Sequence, residues 1–130
     1  MKVGQIHHIA INTENIERSI DFYSNVLKLK RRETVQMQEF ALTYFDLPSR
    51  GSLELFDYKG SNARSERKED AVGLRHIAFL VSGVKDHEKE LRKAGVTITL
   101  PATELPELGM RVMLFLDPNG VTIEFCESLQ

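Results

Sequence analysis

Cysteine is nearly missing from this chain: Cys126 is the only one in 130 residues, so no disulfide can close within one copy. A lone thiol also suits a reducing compartment. Long apolar runs are absent, and with them the means of crossing a bilayer as a helix. The opening residues MKVGQIHH lack the apolar core of a secretion signal. Excess charge of one sign is lacking too. Lys and Arg number 17 against 19 Asp and Glu, for a net charge of −2. That balance gives no electrostatic reason to expect nucleic acid or a membrane surface as a partner. The expectation that remains is a cytoplasmic globular protein. Its 42% hydrophobic content suffices for an ordinary core. Its length fits one domain or two small modules fused around a shared core.

What the chain does have, it has twice. IHHIAINTENIERSIDFYSNVLKLK, from Ile6, parallels LRHIAFLVSGVKDHEKELRKAGVTI, from Leu74. Each reads as strand, short turn, amphipathic helix and strand. Asn15 is a good cap for the first helix, which places Ile16, Ile20, Tyr23 and Leu27 on one stripe. The second helix begins near Val84 to Asp86 and stops at Ala94-Gly95, where glycine suits a helix C-terminus. Further on, FDLPSRGSLELF (Phe45 to Phe56) parallels LDPNGVTIEF (Leu116 to Phe125). The DPNG turn predicts an antiparallel hairpin of Arg111 to Leu116 with Val121 to Cys126.

Each half is therefore expected to be a βαβββ module in an α+β fold. Module 1 covers about residues 4–58, a polar linker 59–72, and module 2 about 73–128. Spacing alone leaves open whether the last strand of a half pairs with its first. Two such curved sheets side by side would form a trough with the helices outside.

The repeat also selects among the histidines. Aligning Ile9-Ala10 with Ile77-Ala78 sets His8 against His76, and His7 against Arg75. The histidines His8 and His76 lie 68 positions apart (76 − 8), and the glutamates Glu54 and Glu124 lie 70 apart (124 − 54). Near-equal spacing is what a pseudo-twofold site requires. Strand alternation sends Ile9, Ile11, Leu53, Leu55, Ile77, Phe79, Val81, Val121, Ile123 and Phe125 toward the helices. His8, Glu54, His76 and Glu124 then point the other way, into the expected trough.

A strand histidine is ordinarily a hydrogen-bonded structural residue, and a strand glutamate ordinarily faces water. Those readings would have to hold separately at four positions that the repeat aligns. A carboxylate between two apolar strand residues is costly without a partner, and a divalent cation removes that cost. Two imidazoles and two carboxylates suit Zn, Ni, Co, Mn or Fe(II). His7 is read as an edge or outer-face residue, and His87, on the second helix, as exposed.

At these residues the sequence resembles the vicinal oxygen chelate superfamily, and within it the glyoxalase I group. The resemblance rests on IHHIAINTENIERSIDFYSNVLKL, LEL at 53 to 55, GLRHIAFLV and DPNGVTIEF. Lys28 stands where the group's helix-to-strand signature usually has glycine. The resemblance implies paired βαβββ modules, a divalent metal held by His8, Glu54, His76 and Glu124, and a frequent homodimer. It implies that the metal holds two neighbouring oxygens of a small carbonyl substrate while a glutamate moves a proton between adjacent carbons. Glu124 is the chosen base and Glu54 the alternative. Two positions depart from the glutathione-dependent bacterial enzymes: Asn12 replaces an arginine and Tyr58 an asparagine, both of which help hold glutathione there. The resemblance thus reaches the metal chemistry more firmly than the thiol.

The expected function is a metal-dependent lyase or isomerase. Rivals in the same superfamily fit less well. Methylmalonyl-CoA epimerases usually offer an amide at the position of Glu54. Fosfomycin-modifying transferases and ring-cleaving dioxygenases generally use two histidines and one glutamate. Non-catalytic binding modules of the bleomycin-resistance type typically lack the quartet. Tyr44, Met113 and Arg111 are further trough-lining candidates whose faces the sequence does not assign.

Overall fold

The computed structural model describes residues 1–60, 62–64, 66 and 68–130. Ser61, Ser65 and Arg67, within the expected linker, lie outside the described residues. The chain divides into two compact units, Met1–Arg64 and Ser65–Gln130, built on one plan. In the first, β1 (His8–Asn12), α1 (Ile16–Asp21), β2 (Lys30–Gln36), β3 (Ala41–Asp46) and β4 (Ser52–Asp57) follow in sequence. In the second come β5 (Ile77–Leu80), α2 (Val84–Lys93), β6 (Ile98–Leu105), β7 (Met110–Leu116) and β8 (Thr122–Ser128). Each unit has one four-stranded mixed sheet, in the orders β1-β4-β3-β2 and β5-β8-β7-β6. The fold is α+β with tandem modules. The last strand of each unit does pair with its first, in parallel, and lies antiparallel to the strand before it.

Alternation along the strands explains the cores. Leu53, Leu55 and Phe45 are fully buried on one face of the first sheet, and the Tyr23 ring lies 6.2 Å from that of Phe45. In the second unit Ile123, Met113, Phe115 and Phe125 of the sheet and Val84 and Leu91 of α2 are buried, and the Phe115 and Phe125 rings meet edge to face at 4.9 Å. Each such side chain contributes about 1.5–3 kcal/mol by leaving water.

The first helix departs from the expected stripe. Asn15 caps it as read, its Oδ1 accepting from the Arg18 N–H at 3.1 Å. The helix then widens into a π turn over Phe22–Val26, with the Leu27 N–H donating to the Phe22 carbonyl at 2.9 Å. That wider turn rotates the buried side to Ser19, Phe22 and Tyr23, leaving Ile16, Ile20 and Leu27 only half-buried.

Gly51 sets the entry to β1. It has φ +82°, and a Cβ there would stand 2.8 Å from the His7 carbonyl oxygen. The same oxygen accepts from the Ser52 N–H at 3.1 Å, which aligns His8 with Ser52. A side chain at Gly51 would push these two strands apart.

The second helix has no cap of its own, since its first flanking residue is Gly83. Glu127 of β8 does the capping, its Oε2 accepting from the Gly83 N–H at 2.6 Å while Arg111 donates to Oε1 at 2.8 Å. Hydrogen bonds from Arg111 and then Gly83 hold the Glu127 carboxyl below the usual carboxylate range. A lowered native pKa stabilises the fold above the unfolded value and loses that contribution as pH falls through the native one. Glu127→Gln is therefore expected to lower stability in urea at pH 7, with the gap to the parent protein closing at pH 3. An equal gap at both pH values would refute the charge-based cap.

Candidate functional site

The site residues are placed by register. In the parallel β1–β4 pair His8 sits opposite Ser52 and Ala10 opposite Glu54, and Tyr44 of β3 faces Glu54 from the other side. Partners in register share a face, and so do residues two apart. His8, Glu54 and Tyr44 therefore stand on the face opposite Leu53 and Leu55. The His8 Nδ1 lies 3.4 Å from Glu54 Oε2, and the glutamate side chain is only 9% exposed. At that distance the contact is electrostatic rather than a good hydrogen bond. Among the described residues no other ion pair reaches this nearly buried carboxylate.

The second unit repeats the arrangement more tightly. His76 precedes β5, Glu124 of β8 lies opposite Ala78, and His76 Nε2 is 2.9 Å from Glu124 Oε2. Arg75 donates to His76 Nδ1 at 3.0 Å, which assigns the ring proton to Nε2, facing the carboxylate. A cation would take the place of that proton, since it too binds an imidazole nitrogen and a carboxylate oxygen at once. The donor set fits a divalent metal. The four expected ligands come as two pairs, one imidazole and one carboxylate from each unit. Among the described residues no three His, Cys, Asp or Glu side chains are gathered into one group.

His7 precedes the first strand, so alternation does not reach it. It is exposed, and its Nδ1 lies 2.9 Å from that of His8. Two ring nitrogens this close need one proton between them. One of them donates and the other accepts, so the tautomer of each ring is set by the other.

The unassigned candidates now have faces. Tyr44 shares that of Glu54, and the Arg32 guanidinium stands 5.7 Å from its ring centre. Met113 is fully buried opposite Phe125, on the helix side. Arg111 is engaged by Glu127 at 2.8 Å and Glu104 at 2.6 Å. His87 corrects an expectation: it is half-buried rather than exposed, its ring 5.3 Å from that of Phe125. Cys126 shares the Glu124 face. Burial, then the Glu124 charge, pushes its thiol up, so it is a poor nucleophile.

One feature of the Glu54 face escaped the sequence reading. Phe56, two residues on, stacks at 5.3 Å on Phe40 and at 6.1 Å on Tyr58. The alternation Glu54, Phe56, Tyr58 was present in ELFDY, but nothing local announced Phe40. These half-buried rings form an apolar patch beside a polar pair.

Comparison with known proteins settles the family. The model of the glyoxalase/bleomycin resistance protein/dioxygenase superfamily matches residues 5–125. The chain belongs to that superfamily. Within it the chain is glyoxalase I-like. It is 34% identical to the uncharacterized protein YwkD of Bacillus subtilis, over 98% of this chain and 100% of the relative. It is 30% identical to the mitochondrial methylmalonyl-CoA epimerase of Dictyostelium discoideum, over 97% of this chain and 80% of that one. It is 31% identical to a lactoylglutathione lyase of Neisseria meningitidis, over 93% and 88%. The crystal structure of a glyoxalase family protein from Enterococcus faecalis superposes with a TM-score of 0.81 at 27% identity, covering 95% of this chain and 97% of the other. The superfamily includes lyases and epimerases. Among the described residues of this superfamily member, no helix is long and apolar enough to cross a membrane.

Proposed function

We propose that this chain is a divalent-metal-dependent, glyoxalase I-like lyase or isomerase that moves a proton between adjacent carbons of a small carbonyl substrate. The observation that carries this reading is the repeated pair, His8 with Glu54 at 3.4 Å and His76 with Glu124 at 2.9 Å. His8, Glu54, His76 and Glu124 are the proposed ligands of one ion, Zn, Ni, Co, Mn or Fe(II). When bound, the ion supplies Lewis acidity, which makes a C–H beside the substrate oxygens acidic.

The rest falls to the protein. The Glu124 side chain is 18% exposed against 9% for Glu54, which supports Glu124 as the group a substrate meets. As general base it takes the C–H proton on a carboxylate oxygen and returns it to the neighbouring carbon. Phe40, Phe56 and Tyr58 offer an apolar surface for the part of the substrate that does not react. Tyr58 and Asn12 are the departures noted above, and they favour a substrate other than a glutathione adduct.

An epimerase uses the same abstraction but returns the proton to the same carbon on its opposite side. The likeness to the Dictyostelium epimerase favours it as the second reading. Elemental analysis of purified protein is expected to find about one metal per site. Incubation in heavy water with α-hydroxycarbonyl and hemithioacetal compounds should then incorporate deuterium. Deuterium at the adjacent carbon supports the isomerase, and deuterium only at the original carbon the epimerase. No metal uptake on titration with Ni, Co or Zn would end the metal reading. A full metal site without exchange on any compound would leave a binding module. The chain is also proposed to form a homodimer, so light scattering at micromolar concentration should give twice the chain mass; a strict monomer would overturn this.

A further inference from the structure

Positive charge is concentrated at one end of the first unit. Residues 28–32 read KLKRR in a chain of net charge −2. Lys28 and Lys30, with Arg50 from the β3–β4 turn, line a cleft of about 520 Å³ that they share with Asp46 and Leu47. That volume is within the range of small-molecule sites. Asp46 is drawn to Arg32 at 3.5 Å. Among the described residues, neither lysine has a carboxylate within ion-pair distance. Arg50 spends one donor on the Gln5 side chain at 3.2 Å and has others to offer.

Lys28 carries a second signal. Its φ is +58°, in the left-handed region where a side chain is strained and glycine is not. A residue held in a costly conformation invites the question of what its side chain does. Here the side chain lines the cationic cleft.

Register ties the cleft to the site. Lys30 is opposite Asp46, Asp46 opposite Ser52, and Ser52 opposite His8, so the row crosses the face that carries Glu54. Three strand spacings separate His8 from Lys30, or roughly 14 Å. We infer that this cleft holds the phosphoryl group of an extended substrate whose neighbouring oxygens lie at the His8–Glu54 end. Three cations match a dianion better than a single carboxylate, and a guanidinium with two ammonium groups is a common phosphate-binding set. That separation is between backbones, and the His8 and Lys30 side chains reach inward from each end, so a phosphorylated acid of about six carbons is the first probe of the span. The link from cleft to reacting oxygens rests on the metal reading above; the cleft itself does not.

The test follows backbone amides of the full isotope-labelled chain by NMR. Pyrophosphate is expected to give saturable shifts at Leu29, Lys30, Leu47 and Gly51, and acetate at matched ionic strength none. Lys28→Gly should weaken pyrophosphate at least tenfold without lowering Tm, and Lys30→Gln should weaken it similarly. Both variants should keep nickel binding. Equal shifts with acetate, no saturation by about 10 mM, or unchanged affinity in Lys28→Gly would overturn the cleft. In nickel-loaded protein, 6-phosphogluconate should bind at least tenfold tighter than either gluconate or inorganic phosphate. Affinity equal to that of inorganic phosphate would make this a free-phosphate site and overturn the substrate arm. Failure of nickel to bind would end the metal reading and leave the pyrophosphate result to judge the cleft alone.

Discussion

Glutamine in place of Glu124 is expected to slow substrate C–H exchange by about 10²–10⁴-fold, the usual contribution of a positioned general base. The substitution preserves shape. Glu124 stays between Ile123 and Phe125 in β8, opposite Leu114, and the amide oxygen can still accept from His76 Nε2. What disappears is the charge that makes the carboxylate basic. Glu54→Gln should cost less exchange, because its carboxylate is the less exposed and is proposed to act as a ligand alone. Metal content must be measured for each variant, since either amide can weaken the ion. The informative comparison is exchange per bound metal. A larger loss in Glu54→Gln than in Glu124→Gln at equal occupancy would reverse the two roles. Loss of metal from both variants would make them ligands without naming a base.

The sequence carries the fold and the pairs unevenly, for physical reasons. Period-two alternation placed Leu53, Leu55, Ile123 and Phe125 in the core, and the DPNG turn located the hairpin that brings Glu124 back beside β7. The repeat then matched His8 to His76 and Glu54 to Glu124 without any need for distances. Pairing of β4 with β1 and of β8 with β5 was not legible, because parallel neighbours so far apart in sequence leave no local signal. The π turn at Phe22–Val26 escaped as well, since a regular stripe assumes constant winding. Strand alternation was applied to His7 one residue before β1 begins, which hid its contact with His8. A place on the second helix suggests an exposed His87; Phe125, from a strand 38 positions later (125 − 87), brings its ring within 5.3 Å. The Glu127 cap on α2 likewise joins residues 44 apart. For the strand pairings, His87 and the Glu127 cap, the missing information was a partner distant in sequence.

Two adjacent histidines give the sharpest test of the proposed ligands. His8→Ala is expected to abolish tight binding of nickel or zinc, and His76→Ala to do the same. Each removes one of the two imidazoles and leaves its glutamate, Glu54 or Glu124, without the ring it contacts. His7→Ala should behave differently. His7 is exposed and meets His8 edge to face, with ring centres 5.2 Å apart and the two Nδ1 atoms 2.9 Å apart, while Glu54 still faces the same His8 nitrogen. Removing it takes away a neighbour that orients the His8 ring but none of the four proposed ligands. Outer partners of metal ligands are ordinarily worth 10–100-fold in affinity, and the loss should stay near the tenfold end. Calorimetric titration of the three variants with nickel reads all of this directly. Protons compete for the same imidazole nitrogens, so the parent protein should also release the ion on acidification. Equal loss from His7→Ala and His8→Ala would mean that His7 is itself a ligand, and would move the site by one residue at the mouth of β1. Tight binding that survives His8→Ala would remove His8 from the ligand set and break the symmetry on which the four-residue site is built.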